Sequence, residues 1–194
     1  MSILDTLFGR QKPVPPGPEK LFAMSTAQLT LETDQHLTAV GSAALCFKGV
    51  ASGPFAEIQS DLDQLLQIAG RDDGLTVKPF EDPYGYRWLV FGSKNFQALV
   101  TTIHVASQTL MEHGYGTQLL FAIFRFDDAQ SRPIYWIYNY KRGTFYPFVP
   151  RPDSHDSRRQ RDNAEEMRIA TAMGKELPVE REYERWFPVW DLPM

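Results

Sequence analysis

The segment that most constrains the fold is residues 134–148, a run of aromatic and β-branched residues with a turn signal at Arg142-Gly143. Such side chains suit a pleated, half-buried surface, and a glycine offers the positive φ that a tight reversal needs. The pattern therefore predicts a β-hairpin. The segment holds no nucleophile with a base, no paired acids and no metal-ligand spacing, which indicates a surface that packs or binds.

Composition and charge restrict the class of protein. The chain has 194 residues, 43% of them hydrophobic, which is enough for a substantial core in one domain or two small ones. A net charge of −4 gives no global reason to bind nucleic acid. A single cysteine, Cys46, excludes an internal disulfide and a zinc cluster built on cysteines. With no apolar stretch of the ~20 residues that span a bilayer and no secretory signal, we expect a cytoplasmic protein.

The first twelve residues have the spacing of a short amphipathic helix that Gly9 ends. One interpretation is a membrane-surface foot, with an apolar face and flanking cations at the headgroups of an anionic leaflet. The other is a terminal helix docked on the protein itself or on a partner, which an element of two turns with two cations favours. A proline-rich linker follows and completes an N-terminal unit of residues 1–18. The candidate membrane contacts are Ile3, Leu4, Leu7, Phe8, Arg10 and Lys12.

Residues 19–194 are predicted to form a single α+β domain. After a helical turn over 19–24, two strands that pair with each other are predicted at 28–32 and 43–48. A helix from Gly53-Pro54 to Gly70, strands at 75–80 and 86–91, and a helix from its cap Ser93 to Gly114 are predicted next. Three strands then follow at 118–126, 133–141 and 144–149. Helices between hairpins indicate an antiparallel sheet that carries its helices mainly on one face.

The last part of the chain changes character after Pro150. Residues 151–161 read as a polar loop, and Asp162 with Glu165 has the spacing of a capping box before a helix that ends at Gly174. The closing residues 186–190 contain two tryptophans, which we expect to pack back on the sheet.

The sequence contains few candidate catalytic groups. The four histidines, His36, His104, His113 and His155, are scattered without metal-ligand spacing. Cys46 lies in a predicted strand and is expected to be a small buried hydrophobe. We therefore predict no metal, no cofactor and no catalytic residues. A pocket where His104, Arg125 and a carboxylate converge would revive an enzyme or small-ligand function.

Two surfaces are candidates for partner binding. At the hairpin tip, two cations lie among rings of the kind enriched at interface hot spots. The alternative, favoured because a strand buries at least one face, places the rings in the core and leaves the cations to solvate the turn. The other candidate is the basic cluster 158–161, which is usually a solvated loop. The hairpin residues proposed for the partner are Tyr140, Lys141, Arg142, Thr144, Phe145 and Tyr146.

The residues also carry a family resemblance. The segments 3–10, 82–89, 138–148 and 185–190 resemble the PspA-associated protein family PspAB, and the block 141–147 is the most specific of them. The resemblance implies a cytoplasmic protein of the phage-shock-type envelope stress response. It implies two classes of partner, a PspA-like coiled-coil protein or an HtpX-type membrane protease, and it brings no catalytic residues.

Three hypotheses follow. The first is a non-enzymatic adaptor that binds a stress-response partner through its sheet and aromatic hairpin, with optional attachment to the inner face of the membrane. The second, by fold analogy alone, is a secretion-chaperone-like or YbjN-like domain that forms a homodimer and holds client segments. The third is an enzyme or small-ligand module.

Overall fold

A computed structural model describes residues 18–49, 60, 74–151 and 159–194. Its centre is an antiparallel sheet of six strands in the order β2-β3-β1-β4-β5-β6, which confirms the expected α+β class. The strands are β1 Thr38–Lys48, β2 Thr76–Glu81, β3 Tyr86–Gly92, β4 Leu119–Asp127, β5 Pro133–Asn139 and β6 Thr144–Phe148, with a separate small ladder of β7 Pro150–Arg151 and β8 Gln160–Arg161. The helices are α1 Ala23–Thr33, α2 Phe96–Glu112 and α3 Asn163–Met173, with 3₁₀ turns at Pro18–Phe22, Gly116–Gln118 and Tyr183–Arg185.

The strand expected at 28–32 is wrong, because these residues lie in α1. Met24, Ala27 and Leu31 are buried at helical spacing, whereas Leu29 is 66% exposed. The alternation of two leucines over five residues is compatible with both the strand period and the helical period. The pattern of buried residues over a longer segment identifies the helix. The strand at 43–48 accordingly belongs to β1, which pairs with β3 and β4 instead.

The first face of the sheet packs against α1 and α2. Phe96, at the start of α2, lies 5.7 Å from Phe124 and 5.4 Å from Phe126, centroid to centroid. The cap of α2 is Asn95, whose side chain accepts a 3.2 Å hydrogen bond from the Ala98 amide, so the cap expected at Ser93 is wrong by two residues. Ser93 instead accepts a 3.0 Å bond from the Asn95 amide and orders the approach to the helix.

The second face is covered on its β5–β6 side by residues 181–194, here called the C-terminal strap. Trp186 stacks on Tyr146 with centroids 6.4 Å apart, and Trp190 meets Phe148 edge-on at 4.9 Å. The Tyr146 hydroxyl donates a 3.1 Å bond to the carbonyl of Phe187. The sheet is thus covered on both faces along this side.

The two edges of the sheet are treated differently. Along β6, the Phe145 amide donates to the Pro178 carbonyl at 2.9 Å and the Glu180 amide donates to the Phe145 carbonyl at 2.8 Å, so the chain after α3 covers this edge. At the other edge, the outermost of the described strands is β2, which carries Pro79.

Three sequence predictions lie outside the described residues: the N-terminal amphipathic element, most of the proline-rich linker, and all but Ser60 of the helix between Gly53 and Gly70. Within the part of the chain that is described, no helix has the length and apolar character required to cross a bilayer.

Gly41 lies where two backbone segments approach each other closely. Gly41 has φ of +70°, and a Cβ atom built there would lie 2.4 Å from the carbonyl oxygen of Ser93. Gly114 also has a positive φ, +83°, but a Cβ there would meet nothing within 4 Å.

We expect Gly114→Ala to lower the free energy of unfolding by about 1 kcal/mol through backbone strain alone. Gly41→Ala adds a steric clash with the Ser93 carbonyl. It should therefore lower the free energy of unfolding, measured by urea unfolding, by about 1–3 kcal/mol more than Gly114→Ala does. Equal losses would contradict the close approach.

Candidate partner-binding site

The hairpin predicted from residues 134–148 is present, with β5 and β6 paired from Tyr135–Phe148 to Asn139–Thr144. Its tip is closed by Asn139, whose carbonyl accepts from the amides of Arg142 at 3.2 Å and Gly143 at 2.8 Å, while its side chain accepts from the Lys141 amide at 3.0 Å. Gly143 has φ of +65°, which confirms the positive φ expected there. The tip therefore has a defined backbone conformation.

The three rings named at the tip lie inside the protein. Tyr140 and Phe145 belong to the core of the first face, where Tyr138 meets them at 5.1 Å and 4.8 Å between centroids. Tyr146 belongs to the core of the second face. Burial raises the pKa of Tyr138 to about 12, and raises the pKa values of Tyr140 and Tyr146 further, so all three hydroxyls stay protonated at neutral pH.

The exposed part of the tip is therefore Lys141, with partial exposure of Arg142 and Thr144. The buried rings act on this surface indirectly, since they anchor both strands on which the loop stands. The six residues that the sequence grouped as one patch thus divide into three buried rings that support the loop and three residues that are exposed or partly exposed at its surface.

Arg142 is paired with a carboxylate that the sequence did not indicate. Its Nε donates to Glu180, whose side chain is only 5% exposed, and the Thr144 hydroxyl donates to the same carboxylate at 3.2 Å. A third bond of 3.2 Å comes from the Glu182 amide. Burial raises the pKa of Glu180, but these hydrogen bonds outweigh it and hold the pKa below its ordinary value. Arg142 and Glu180 are separated by 38 residues, so no local pattern in the sequence could pair them.

The second candidate surface, the basic cluster 158–161, is also bound into the fold, although Arg158 lies outside the described residues. Arg159 pairs with Asp191 at 2.7 Å and lies over the Trp190 ring. Arg161 pairs with the fully buried Glu166 at 2.8 Å and donates to the Trp186 carbonyl. Both arginines therefore hold the C-terminal strap.

The groups that could have supported an enzyme do not converge. His104 projects from α2 toward Phe22, with ring centroids 4.5 Å apart, on the side of the first face. Arg125 follows Phe124 along β4 and so points to the second face, where it pairs with Asp127 at 3.0 Å. Cys46 is buried in β1, as expected, and burial raises the pKa of its thiol far above the ordinary value. Among the described residues, no three His, Cys, Asp or Glu side chains are grouped as a metal site.

An open cleft of about 490 Å³ lies at the far end of the sheet from the hairpin tip. Its described lining includes Gly41, Gly92, Ser93 and Lys94. Neither His104 nor Arg125 is among its described lining residues, so this cleft does not bring together the two groups that the sequence analysis named.

The pairing of Arg142 with Glu180 gives a stability prediction. Glu180→Gln should lower the free energy of unfolding by about 1–2 kcal/mol at pH 7, because a largely buried charge pair loses one member. Glu182→Gln is the matched control, since that side chain is 54% exposed, and it should cost less than about 0.5 kcal/mol.

The same pair predicts a pH dependence. Because the pKa of Glu180 is lowered from its ordinary 4.5, its stabilising effect is present above that value and is lost as the pH falls through the folded pKa. The difference between wild type and Glu180→Gln should therefore shrink in urea titrations below about pH 4.5. A difference independent of pH would show that the carboxylate charge is irrelevant.

Comparison with protein families matches residues 1–194, the whole chain, to a model described as PspAB: PspA associated protein B. Comparisons with curated proteins and with solved structures give no match. The family match covers the hairpin and the strap together, and it confirms the resemblance seen in the sequence. The chain belongs to the PspA associated protein B family.

Proposed function

We propose that this protein is a non-enzymatic adaptor that binds a PspA-like coiled-coil protein through the β5–β6 hairpin tip. The observation that carries the proposal is the rigid presentation of Lys141 above buried Tyr140, Phe145 and Tyr146. The family name associates these proteins with PspA, which is consistent with an adaptor role.

Rigidity is the physical support for binding at this tip. The loop backbone is fixed by Asn139, and Arg142 is fixed by Glu180, so little loop freedom is lost when a partner docks. Coiled-coil helices carry charged side chains beside their apolar seam, and an acidic one would complement Lys141. Arg142 and Thr144 add partly exposed donors next to it.

Membrane attachment is the second element of the proposal. The apolar residues Ile3, Leu4, Leu7 and Phe8, with the cations Arg10 and Lys12, would bring the complex to the inner face of an anionic membrane. An HtpX-type membrane protease is a further partner that this placement would allow.

The binding proposal is tested by titrating purified protein with the PspA homologue of the same organism, without lipid. Lys141→Glu should weaken the complex about tenfold, because it reverses the exposed charge of the tip. Lys94→Glu is the matched control, since Lys94 is also exposed but lies beside the cleft at the opposite end of the sheet, and its substitution should change Kd less than twofold.

Circular dichroism should show both variants folded, since both lysines are exposed. A complex of unchanged affinity with Lys141→Glu would place the interface elsewhere. The absence of any complex, combined with a homodimer in light scattering, would favour the chaperone-like alternative.

A further inference from the structure

Glu180 is the residue at which the hairpin tip, the β6 edge of the sheet and the C-terminal strap meet. Its amide donates to the Phe145 carbonyl of β6 at 2.8 Å. Its carbonyl accepts a 3.0 Å bond from the indole nitrogen of Trp186, which lies in the strap. Its carboxylate accepts from Arg142 and Thr144 of the tip. The backbone and the side chain of Glu180 therefore connect three different parts of the fold.

The beginning of the strap closes the same connection. The Glu182 amide donates to the Glu180 carboxylate at 3.2 Å, and the Glu182 carboxylate lies 3.7 Å from the Arg142 guanidinium. Arg142 thus faces one acid that is nearly buried beside β6 and a second acid that belongs to the strap. The position of the strap therefore determines how many carboxylates hold Arg142.

Few groups attach the strap to the second face. All of its residues, 181–194, are described, and Trp186 alone among them is buried. Within the described part of the chain, its backbone amides donate to backbone carbonyls only inside the strap, from Arg185 to Glu182 and from Trp186 to Tyr183. It pairs with no strand of the described sheet. A segment with so few buried contacts opens more readily than the sheet beneath it.

Trp186 is the anchor of the strap. Its ring stacks on Tyr146 of β6, and its backbone carbonyl accepts from Arg161. Its indole nitrogen makes the buried bond to the Glu180 carbonyl. The residue that docks the strap is thus bonded directly to the residue that holds the tip.

We propose that Trp186 is a positioning residue for the partner-binding tip: the docked strap, acting through Glu180, holds Arg142 in the arrangement that binds the partner. The inference rests on the proposed function for the identity of the partner, whereas the coupling of strap and tip is a property of the free protein. The two-state element is the strap, either docked or released. By linkage, a partner that binds the docked form more tightly also keeps the strap docked by the same factor.

Release of the strap acts on Arg142 in two ways. It removes two bonds from Glu180, one from the Trp186 indole and one from the Glu182 amide. It also lets water reach the Glu180 carboxylate, and an ion pair with Arg142 is weaker in a more polar environment. Arg142 then gains rotamer freedom that a partner must remove on binding, which lowers the affinity. The strap thereby regulates the tip without a contact to the partner.

The first test measures amide hydrogen exchange in the free full-length protein. Trp186→Phe keeps a ring that can stack on Tyr146 and removes the indole donor to Glu180. It should raise the exchange rates of the amides at residues 142–143 about fivefold relative to the amides of β1, because a buried hydrogen bond between strap and tip is lost. The amides of β1 report any general loss of stability.

Trp190→Phe is the matched control. Trp190 also contacts a ring of β6, edge-on to Phe148 at 4.9 Å, but its indole nitrogen has no hydrogen bond to a described residue. The substitution shortens the same kind of side chain on the same strap. It should change the exchange at residues 142–143 less than twofold relative to β1.

The second test is the lipid-free titration with the PspA homologue. Trp186→Phe should raise Kd about threefold, because a fraction of the binding-competent tip is lost. In an Arg142→Gln background the same substitution should have no further effect, since the strap acts on the partner through Arg142. A residue that only stabilises the fold would instead give additive effects.

The two tests separate the possible failures. Equal exchange at the tip in Trp186→Phe and Trp190→Phe would disprove the coupling. A coupled tip whose complex has an unchanged Kd in Trp186→Phe, or additive effects in the double variant, would disprove the positioning role. If wild type forms no complex, the proposed function fails and the positioning role fails with it, whereas the exchange rates still decide whether strap and tip are coupled.

Discussion

The buried pair of Arg161 and Glu166 is the interaction on which the C-terminal half of the structure depends. Glu166 is fully buried on α3 and also accepts a 2.8 Å bond from the Val149 amide at the end of β6. Arg161, held between the rings of Phe148 and Tyr183, extends the connection to the Trp186 carbonyl. One ion pair thereby joins a helix, a strand end and the C-terminal strap, and it fixes where the second face is covered. Removing one member of such a pair leaves the other charge buried and uncompensated, so these elements are coupled.

Local sequence patterns predicted the elements in which a regular periodic pattern continues over many residues. The hairpin, α2 and the capped start of α3 at Asp162 were all evident in the sequence, because aromatic alternation, helical spacing and cap chemistry agree there. The strand predicted at 28–32 is wrong because five residues do not distinguish the strand period from the helical period. The candidate site was only half predictable. Its position at residues 140–146 follows from the sequence, but the pairing of Arg142 with Glu180 and the division of the rings between two faces are tertiary facts.

Family membership and geometry bear on different parts of the function. The family match connects the chain with PspA and says nothing about which surface is used. In the structure, Tyr140, Phe145 and Tyr146 support the β5–β6 tip from within, whereas Phe80, Tyr84 and Tyr86 are exposed on the β2–β3 hairpin. In the proposed arrangement, the charged β5–β6 tip binds the protein partner and the N-terminal residues Ile3 to Lys12 attach to the membrane. The adaptor would then hold its partner close to the bilayer.

Both outer strands of the described sheet resist extension by another strand. Proline has no amide hydrogen, so Pro79 interrupts the row of donors along the side of β2 that faces away from β3, while the backbone of Pro178 and Glu180 already pairs with Phe145 of β6. Pairing with a strand from a second copy is therefore disfavoured at both borders of the described sheet. For the described part of the chain, we therefore expect contacts between copies to use side chains and loops, and the two interrupted borders also oppose ordered aggregation of its aromatic strands.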